Sequence, residues 1–183
     1  MKFTELPLKG AYVVEPKPFE DQRGMFSRIF CEIEFKEIYH SKKLVQINHS
    51  LTIRKGAIRG LHYQNPPMTE TKMVKCLRGS VYDVIIDLRK ESDTFLKWHG
   101  ETLSSKNRCM LYISEGFAHG FQTLEANCEL LYFHTKFYSP DYEEAIRFDD
   151  PRVGIKWPLD TTEISEKDKN HPLLSGNFAG IVW

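Results

Sequence analysis

The chain has 183 residues, enough for one domain with a substantial core and too few for a second of ordinary size, so a single domain spanning residues 1–183 is expected. Lysine plus arginine and aspartate plus glutamate each number 25. That balance excludes the global field that draws nucleic acid or an anionic membrane, and leaves any bound anion to local side chains. The N-terminal stretch MKFTELPLKGAYVVEP has no uninterrupted apolar core, and no apolar run approaches membrane-spanning length. The expectation is a cytoplasmic protein with no membrane or nucleic-acid partner.

Short runs rich in Val, Ile, Leu, Tyr and Phe follow one another along the chain, separated by Gly, Pro, Asn and Asp. In order they are GAYVVEP (10–16), KLVQINHS (43–50), GAIRGLHYQ (56–64), MVKCLRG (73–79), SVYDVIIDL (80–88), RCMLYIS (108–114), AHGFQTLE (118–125) and CELLYFHTKFY (128–138). Strands of this length and spacing predict an all-β sandwich or barrel. FCEIEFKEIYHSK (30–42) reads as an early helix, with Phe30, Ile33, Phe35 and Ile38 available for one side. After FDDPRVGIKWP the chain becomes turn-rich, and TTEISEKDKNH (161–171) is expected to form a short helix or loop over the body. Cys31, Cys76, Cys109 and Cys128 are widely spaced with no CxxC pair, which predicts reduced, structural thiols.

Strand alternation sorts side chains by face. In CELLYFHTKFY, Cys128, Leu130, Tyr132, His134, Lys136 and Tyr138 point one way and Leu131, Phe133 and Phe137 the other. One face therefore mixes apolar and polar groups, as a ligand-lined interior does. Lys72 shares a face with Val74, Cys76 and Arg78, and His62 with Gln64; strict alternation sets Arg59 opposite His62 unless Gly60, between them, carries a bulge.

Histidines spaced along an all-β chain raise the question of a metal-binding cupin, a jelly roll with an HxH pair, a later glutamate and a further histidine. Here the pair reads His62-Tyr63-Gln64, with Glu70 and His119 in the remaining places. A neutral amide is a poor substitute for imidazole toward a transition metal, so the pattern is that of a cupin without its metal site. His62 is then free to act as a base. His62 and His119 as satisfied core histidines is the plainer alternative, weakened because Arg59, Lys72 and Tyr132 fall near the same cavity and buried cations need an anionic partner.

Eight segments in order carry a specific resemblance: DQRG (21–24), QINHS (46–50), IRGLHYQNPP (58–67), TKMVK (71–75), RGSVYDVIIDLRKESDTF (78–95), EGFAHGFQTL (115–124), DDPRVGIKWP (149–158) and ISEKD (164–168). In these the chain resembles the dTDP-4-dehydrorhamnose 3,5-epimerases, the RmlC-like nucleotide-sugar epimerases, over nearly its whole length. The resemblance implies an all-β, cupin-type double-stranded β-helix with a few short helices. It also implies a homodimer, no metal and no organic cofactor, and a nucleotide-linked 4-keto-6-deoxyhexose as substrate. Epimerisation beside a ketone needs a base, an acid on the opposite face and a stabiliser for the enolate.

By the same resemblance His62 is the base, oriented by Asp168, Tyr132 is the acid, and Lys72 supplies positive charge at O4. Substrate contacts fall to Arg23, Gln46, Asn48, Arg59, His119, Glu143 and Lys167, with Tyr138 as a surface for the nucleobase. Two positions depart from the family pattern: Arg28 stands where an acidic residue touches the nucleotide, which bears on base preference, and Ser114 replaces a proline, which bears on loop stiffness. A cupin ketoisomerase and a non-catalytic sugar-nucleotide binder remain as alternatives, opposed respectively by Tyr132 and by the pair of His62 with Asp168. Which sugar and nucleotide are accepted, and whether C3, C5 or both invert, depends on pocket shape that no motif records.

Overall fold

Two antiparallel sheets stack face to face, and the chain passes back and forth between them. The computed structural model describes residues 1–38 and 40–182. In chain order the strands are β1 (Lys2–Glu5), β2 (Ala11–Glu15), β3 (Phe19–Asp21), β4 (Gly24–Phe26), β5 (Gln46–Thr52), β6 (Ile58–Gln64), β7 (Lys72–Arg78), β8 (Ser80–Asp87), β9 (Trp98–Ser104), β10 (Met110–Ile113), β11 (Phe117–Thr123), β12 (Cys128–His134) and β13 (Glu143–Ala145). The first sheet runs β1-β2-β10-β7-β12-β5 and the second β13-β6-β11-β8-β9, while β3 and β4 form a hairpin of their own. From β5 onward, strands alternate between the sheets except for the β8–β9 hairpin, which is the winding of the expected cupin jelly roll.

Alternation divides the apolar side chains among three layers. Val74, Cys76, Val81, Ile85, Leu111, Phe121 and Leu130 meet between the sheets. Leu61, Tyr63, Val84, Ile86 and Ala118 face outward from the second sheet and are covered by the C-terminal segment through Trp157, Leu174 and Phe178. Met73, Met110, Tyr112 and Phe133 face outward from the first sheet beneath Phe35 and Ile38. Burying one such side chain contributes about 1.5–3 kcal/mol, so both outer layers hold their covering segments in place without caps or crosslinks. The C-terminal tail, left unplaced by the sequence, thus lies on the outer face of the second sheet, where Phe178 stacks on Phe95 at 6.1 Å between ring centroids. Trp183, its last residue, lies outside the described residues.

The predicted helix at 30–42 shrinks to one α-turn, α1 (Glu32–Phe35), followed by a 3-10 turn, Lys36–Ile38. Tyr39, within the predicted span, lies outside the described residues. Cys31 at the N-cap makes no side-chain hydrogen bond, and Ile33, expected on the buried side, is 77% exposed. Phe30 packs on the same layer from before α1, and within the two turns Phe35 and Ile38 are the buried residues; two apolar side chains three apart sustain one turn rather than three. The other predicted segment does form a helix, α2 (Glu166–Asn170), capped by Ser165, whose hydroxyl accepts from the Asp168 N–H.

Strand β6 departs from regular pairing where the sequence places Gly60. The register against β11 shifts between His119 and Phe121, and Gly60 has φ +115°, a conformation that L side chains rarely adopt. A Cβ there would lie 2.7 Å from the Gly120 Cα and 2.8 Å from the His119 carbonyl oxygen. Gly60→Ala is therefore expected to cost about 2–3 kcal/mol, lowering Tm by roughly 4–12 °C in a thermal melt. An unchanged Tm would show that the two strands separate freely at this point.

Candidate active site

At one end of the sandwich the space between the sheets opens into a cavity of about 960 Å³, within the range of small-molecule sites. The first sheet contributes inward residues of β5, β7 and β12, the second those of β6 and β11, and α2 closes one side. Eleven of the twelve site residues named from the sequence line it; Arg23 does not.

His62 projects from β6 and Asp168 from the first turn of α2, and His62 Nε2 meets Asp168 Oδ1 at 2.7 Å. The second carboxylate oxygen accepts the Gly60 N–H at 3.3 Å. Burial opposes charge on Asp168, but the hydrogen bond and charge of His62, with help from Gly60, outweigh it and hold the carboxyl below the usual aspartate range. The carboxylate fixes the imidazole's orientation and would stabilise an imidazolium, leaving Nδ1 for other partners. Asp168 is thus a buried partner and not the surface charge that a short polar helix suggests.

Tyr132 faces the cavity from β12 on the opposite sheet, its hydroxyl 2.9 Å from Ser50 Oγ. Burial pushes its phenol well above the usual tyrosine value, only partly countered by Ser50, so it stays protonated at neutral pH. His119, the cross-strand partner of His62, lies with its ring centroid 6.4 Å from that of Tyr132 and its Nε2 2.9 Å from Asp83 Oδ1. Burial lowers the His119 pKa despite Asp83, which keeps the imidazole neutral near pH 7. The neutral His119 ring is buried beside Tyr132 within the cavity. Lys72 reaches in from β7, with its ammonium 3.2 Å from Glu70.

Toward the rim, Arg59 donates from Nε to Thr52 Oγ1 at 2.9 Å. Gln46 and Asn48 are joined at 3.2 Å along β5. Glu143 accepts from Tyr138 Oη at 3.0 Å and from Lys167. Burial opposes the Glu143 charge, yet Lys167 and Tyr138 hold its carboxyl below the usual range.

Two arginines fall elsewhere. Arg23 sits at the turn of the β3–β4 hairpin with its side chain 90% exposed and paired to Asp21 at 2.6 Å, so within this chain it touches no cavity residue. Arg28, the unusual position, pairs with Glu34 at 2.6 Å and does not line the cavity either. Sequence reasoning missed Asp83, Ser50 and the partnership of Glu70 with His134. For Asp83 a signal existed, since it shares the inward phase of β8 with Val81 and Ile85.

The residues that raised the metal question, His62, Gln64, Glu70 and His119, all line the cavity, each with hydrogen-bond partners of its own. Gln64 spends its amide on the backbone, accepting from Ser139 N–H at 2.7 Å and donating to Met68 O at 3.0 Å, while His62 and His119 each answer a different aspartate. Among the described residues no three His, Cys, Asp or Glu side chains form a group able to hold a metal ion. Among the described residues no helix is long and apolar enough to cross a membrane.

A jelly roll whose inner cavity pairs an oriented imidazole with a protonated phenol on the facing sheet defines a cupin-type isomerase. The family model described as dTDP-4-dehydrorhamnose 3,5-epimerase matches residues 5–176. The dTDP-4-dehydrorhamnose 3,5-epimerase of Methanothermobacter thermautotrophicus is 42% identical over 179 residues, 96% of each chain. The crystal structure of dTDP-6-deoxy-D-glucose-3,5-epimerase from Legionella pneumophila, in complex with dTDP-4-keto-L-rhamnose, superposes with a TM-score of 0.92 at 34% identity, covering 100% of this chain and 98% of that one. A 3'-monoepimerase from Streptomyces bikiniensis in complex with dTDP-quinovose gives a TM-score of 0.86 at 30% identity, covering 92% and 85%. The chain belongs to the dTDP-4-dehydrorhamnose 3,5-epimerase family.

The depressed carboxyl of Asp168 carries a pH signature. A group whose folded pKa lies below its unfolded value adds stability above the unfolded pKa, about 4, and loses it as pH falls through the folded value. The stability difference between wild type and Asp168→Asn is therefore expected to be widest above about pH 4 and to narrow in more acidic buffer, as read by urea unfolding across pH. A difference independent of pH would mean the carboxylate is not held by His62.

Proposed function

We propose that the chain acts as one catalytic domain that epimerises C3, C5 or both of a 4-keto-6-deoxyhexose linked to a nucleoside diphosphate, of the dTDP-4-dehydro-6-deoxyglucose type, without a cofactor. The observation that carries this reading is the placement of His62 on β6 and Tyr132 on β12, strands of the two sheets that face each other across one cavity. Inversion requires a proton to leave one face of the carbon and return to the other. Two groups on facing walls meet that requirement, and two on one wall do not.

The C4 ketone acidifies the hydrogen on either neighbouring carbon. His62 takes that proton, the C–H electron pair becomes the enolate, and negative charge develops on O4. A positioned base contributes about 10²–10⁴-fold, and Asp168 stabilises the imidazolium formed. Lys72 sets its ammonium against O4, a contribution whose loss typically costs about 10²–10³-fold. Tyr132 then delivers its proton to the opposite face, and solvent exchange resets both groups. Atoms and electrons balance with no oxidant or reductant. Arg59 and Lys167 at the rim answer the diphosphate, Tyr138 offers a ring to the base, and Gln46, Asn48 and Glu143 supply polar contacts.

The partner we propose, besides the nucleotide sugar, is a second copy of the chain. The β3–β4 hairpin exposes Phe19, Met25 and Phe26, and edge strand β5 exposes Ile47 and Leu51. Pairing two copies would bury this apolar surface and carry the exposed Arg23 toward the other cavity. Four free cysteines suit the reducing cytoplasm we propose as its location.

Solvent deuterium separates the two proton-transfer roles. With dTDP-4-keto-6-deoxyglucose in heavy water, His62→Ala is expected to lose both exchange and inversion by about 10²–10⁴-fold. Tyr132→Phe is expected to keep exchange while losing epimeric product, because the base still acts and the opposite-face acid does not. Exchange at both C3 and C5 in the wild type assigns the two-centre reaction, and exchange at C3 alone assigns the single-centre one. Normal inversion in either variant removes that residue's role. Light scattering is expected to give twice the chain mass, with Arg23→Ala raising KM while kcat holds; a monomer, or an unchanged KM, would remove the second copy from the site.

A further inference from the structure

The proton-transfer scheme leaves Glu70 and His134, both in the cavity lining, without a role. His134 Nδ1 lies 2.7 Å from Glu70 Oε2, and Glu70 Oε1 lies 3.2 Å from the Lys72 ammonium. On its outer side, His134 Nε2 is 3.4 Å from the Asn48 amide nitrogen, and Asn48 Oδ1 accepts from Gln46 Nε2 at 3.2 Å. Gln46 in turn accepts the Tyr138 N–H at 3.1 Å.

The polarity of this line is fixed from its outer end. Gln46 occupies the Asn48 carbonyl oxygen, so the Asn48 NH₂ faces the imidazole and His134 Nε2 must accept. The ring proton then resides on Nδ1 and is donated to Glu70. Burial opposes charge on Glu70, but Lys72 and His134 outweigh it and hold the carboxyl below the usual glutamate range. The side chains of His134, Glu70 and Lys72 are only 10%, 12% and 13% exposed.

A lysine ammonium is a point charge on a flexible four-carbon stem, with no fork to aim it. To stabilise charge as it develops, it must already stand at the right place, because reorganisation during the reaction adds to the barrier. We infer that Glu70 and His134 are positioning residues that hold the Lys72 ammonium in place for the enolate oxygen, Glu70 by direct contact and His134 by bracing Glu70 against β5. This rests on the reading of Lys72 as the enolate's counter-charge. Neither residue takes or gives a proton in the reaction.

The test is steady-state epimerisation of dTDP-4-keto-6-deoxyglucose by the full chain, with melting temperature as a check on folding. Lys72→Ala is expected to lower kcat by about 10²–10³-fold. Glu70→Ala and His134→Ala are each expected to lower kcat by about 10-fold with KM within about twofold of wild type, since the interaction lost acts in the transition state. Glu70→Gln keeps an acceptor oxygen for Lys72 and is expected to restore at least about half of kcat. In the Lys72→Ala background, Glu70→Ala is expected to add no further loss. An additive double variant, or a loss confined to KM, overturns the positioning role while Lys72 keeps its own. Wild-type turnover in Lys72→Ala overturns the Lys72 reading and this inference with it.

Discussion

The site depends on one constraint: charge placed between two stacked sheets has to be answered there. At the apolar end of the sandwich, Val74, Cys76, Ile85, Leu111 and Leu130 meet without polar groups. At the other end the same inward strand positions carry His62, Lys72, His119, Tyr132 and His134; His62 touches Asp168, Lys72 and His134 touch Glu70, His119 touches Asp83, and Tyr132 meets the Ser50 hydroxyl. An ion or imidazole left alone in that space would cost several kcal/mol, so the carboxylates are as much a condition of folding as of chemistry. Lys72 and Arg59 bring positive charge to the cavity wall.

The strand inventory was legible because alternation and turn residues mark it directly. All eight apolar runs read from the sequence contain a strand; the inward set Cys128, Leu130, Tyr132 and His134 holds on β12, whereas on β6 Arg59 lines the cavity with His62 instead of opposing it, and on β7 Arg78 is exposed instead of facing inward with Lys72. β9, WHGETLS, escaped because it is an edge strand whose polar residues give no apolar alternation. β3, β4 and β13 are each three residues long, too short for any period to show. The helix at 30–42 failed for the opposite reason. Its apolar residues suggested a face, but the buried layer beneath it receives only Phe35 and Ile38 from α1 and the turn after it.

The site was legible to a different depth. Tyr132 and Lys72 could be placed from strand phase, since each shares a face with apolar residues that must be inside; His62 shares its phase only with Gln64 and was placed through the cupin pattern and the family resemblance. Asp168 could not, because nothing local separates a helix-start carboxylate turned inward from one left in water. Its role came only through the family resemblance, and the contact with His62 spans 106 positions of sequence. The partnership of Glu70 and His134 was hidden for the same reason: it joins a residue before β7, whose phase was not read, to the end of β12.

Gly60 joins these two scales. A regular strand over residues 58–64 sets Arg59 and His62 on opposite faces, so one of the two would point away from the cavity. The glycine, with φ +115° and a register shift beside it, admits an extra step into the strand, and both side chains then line the same space. No other residue allows the β6 backbone to pass so close to Gly120. The same irregular turn of backbone brings the Gly60 N–H to Asp168, so the carboxylate that orients His62 is itself oriented by the bulge. One strand thus holds the Arg59 guanidinium and the His62 imidazole on the same cavity, at a separation set by the bulge and independent of any loop.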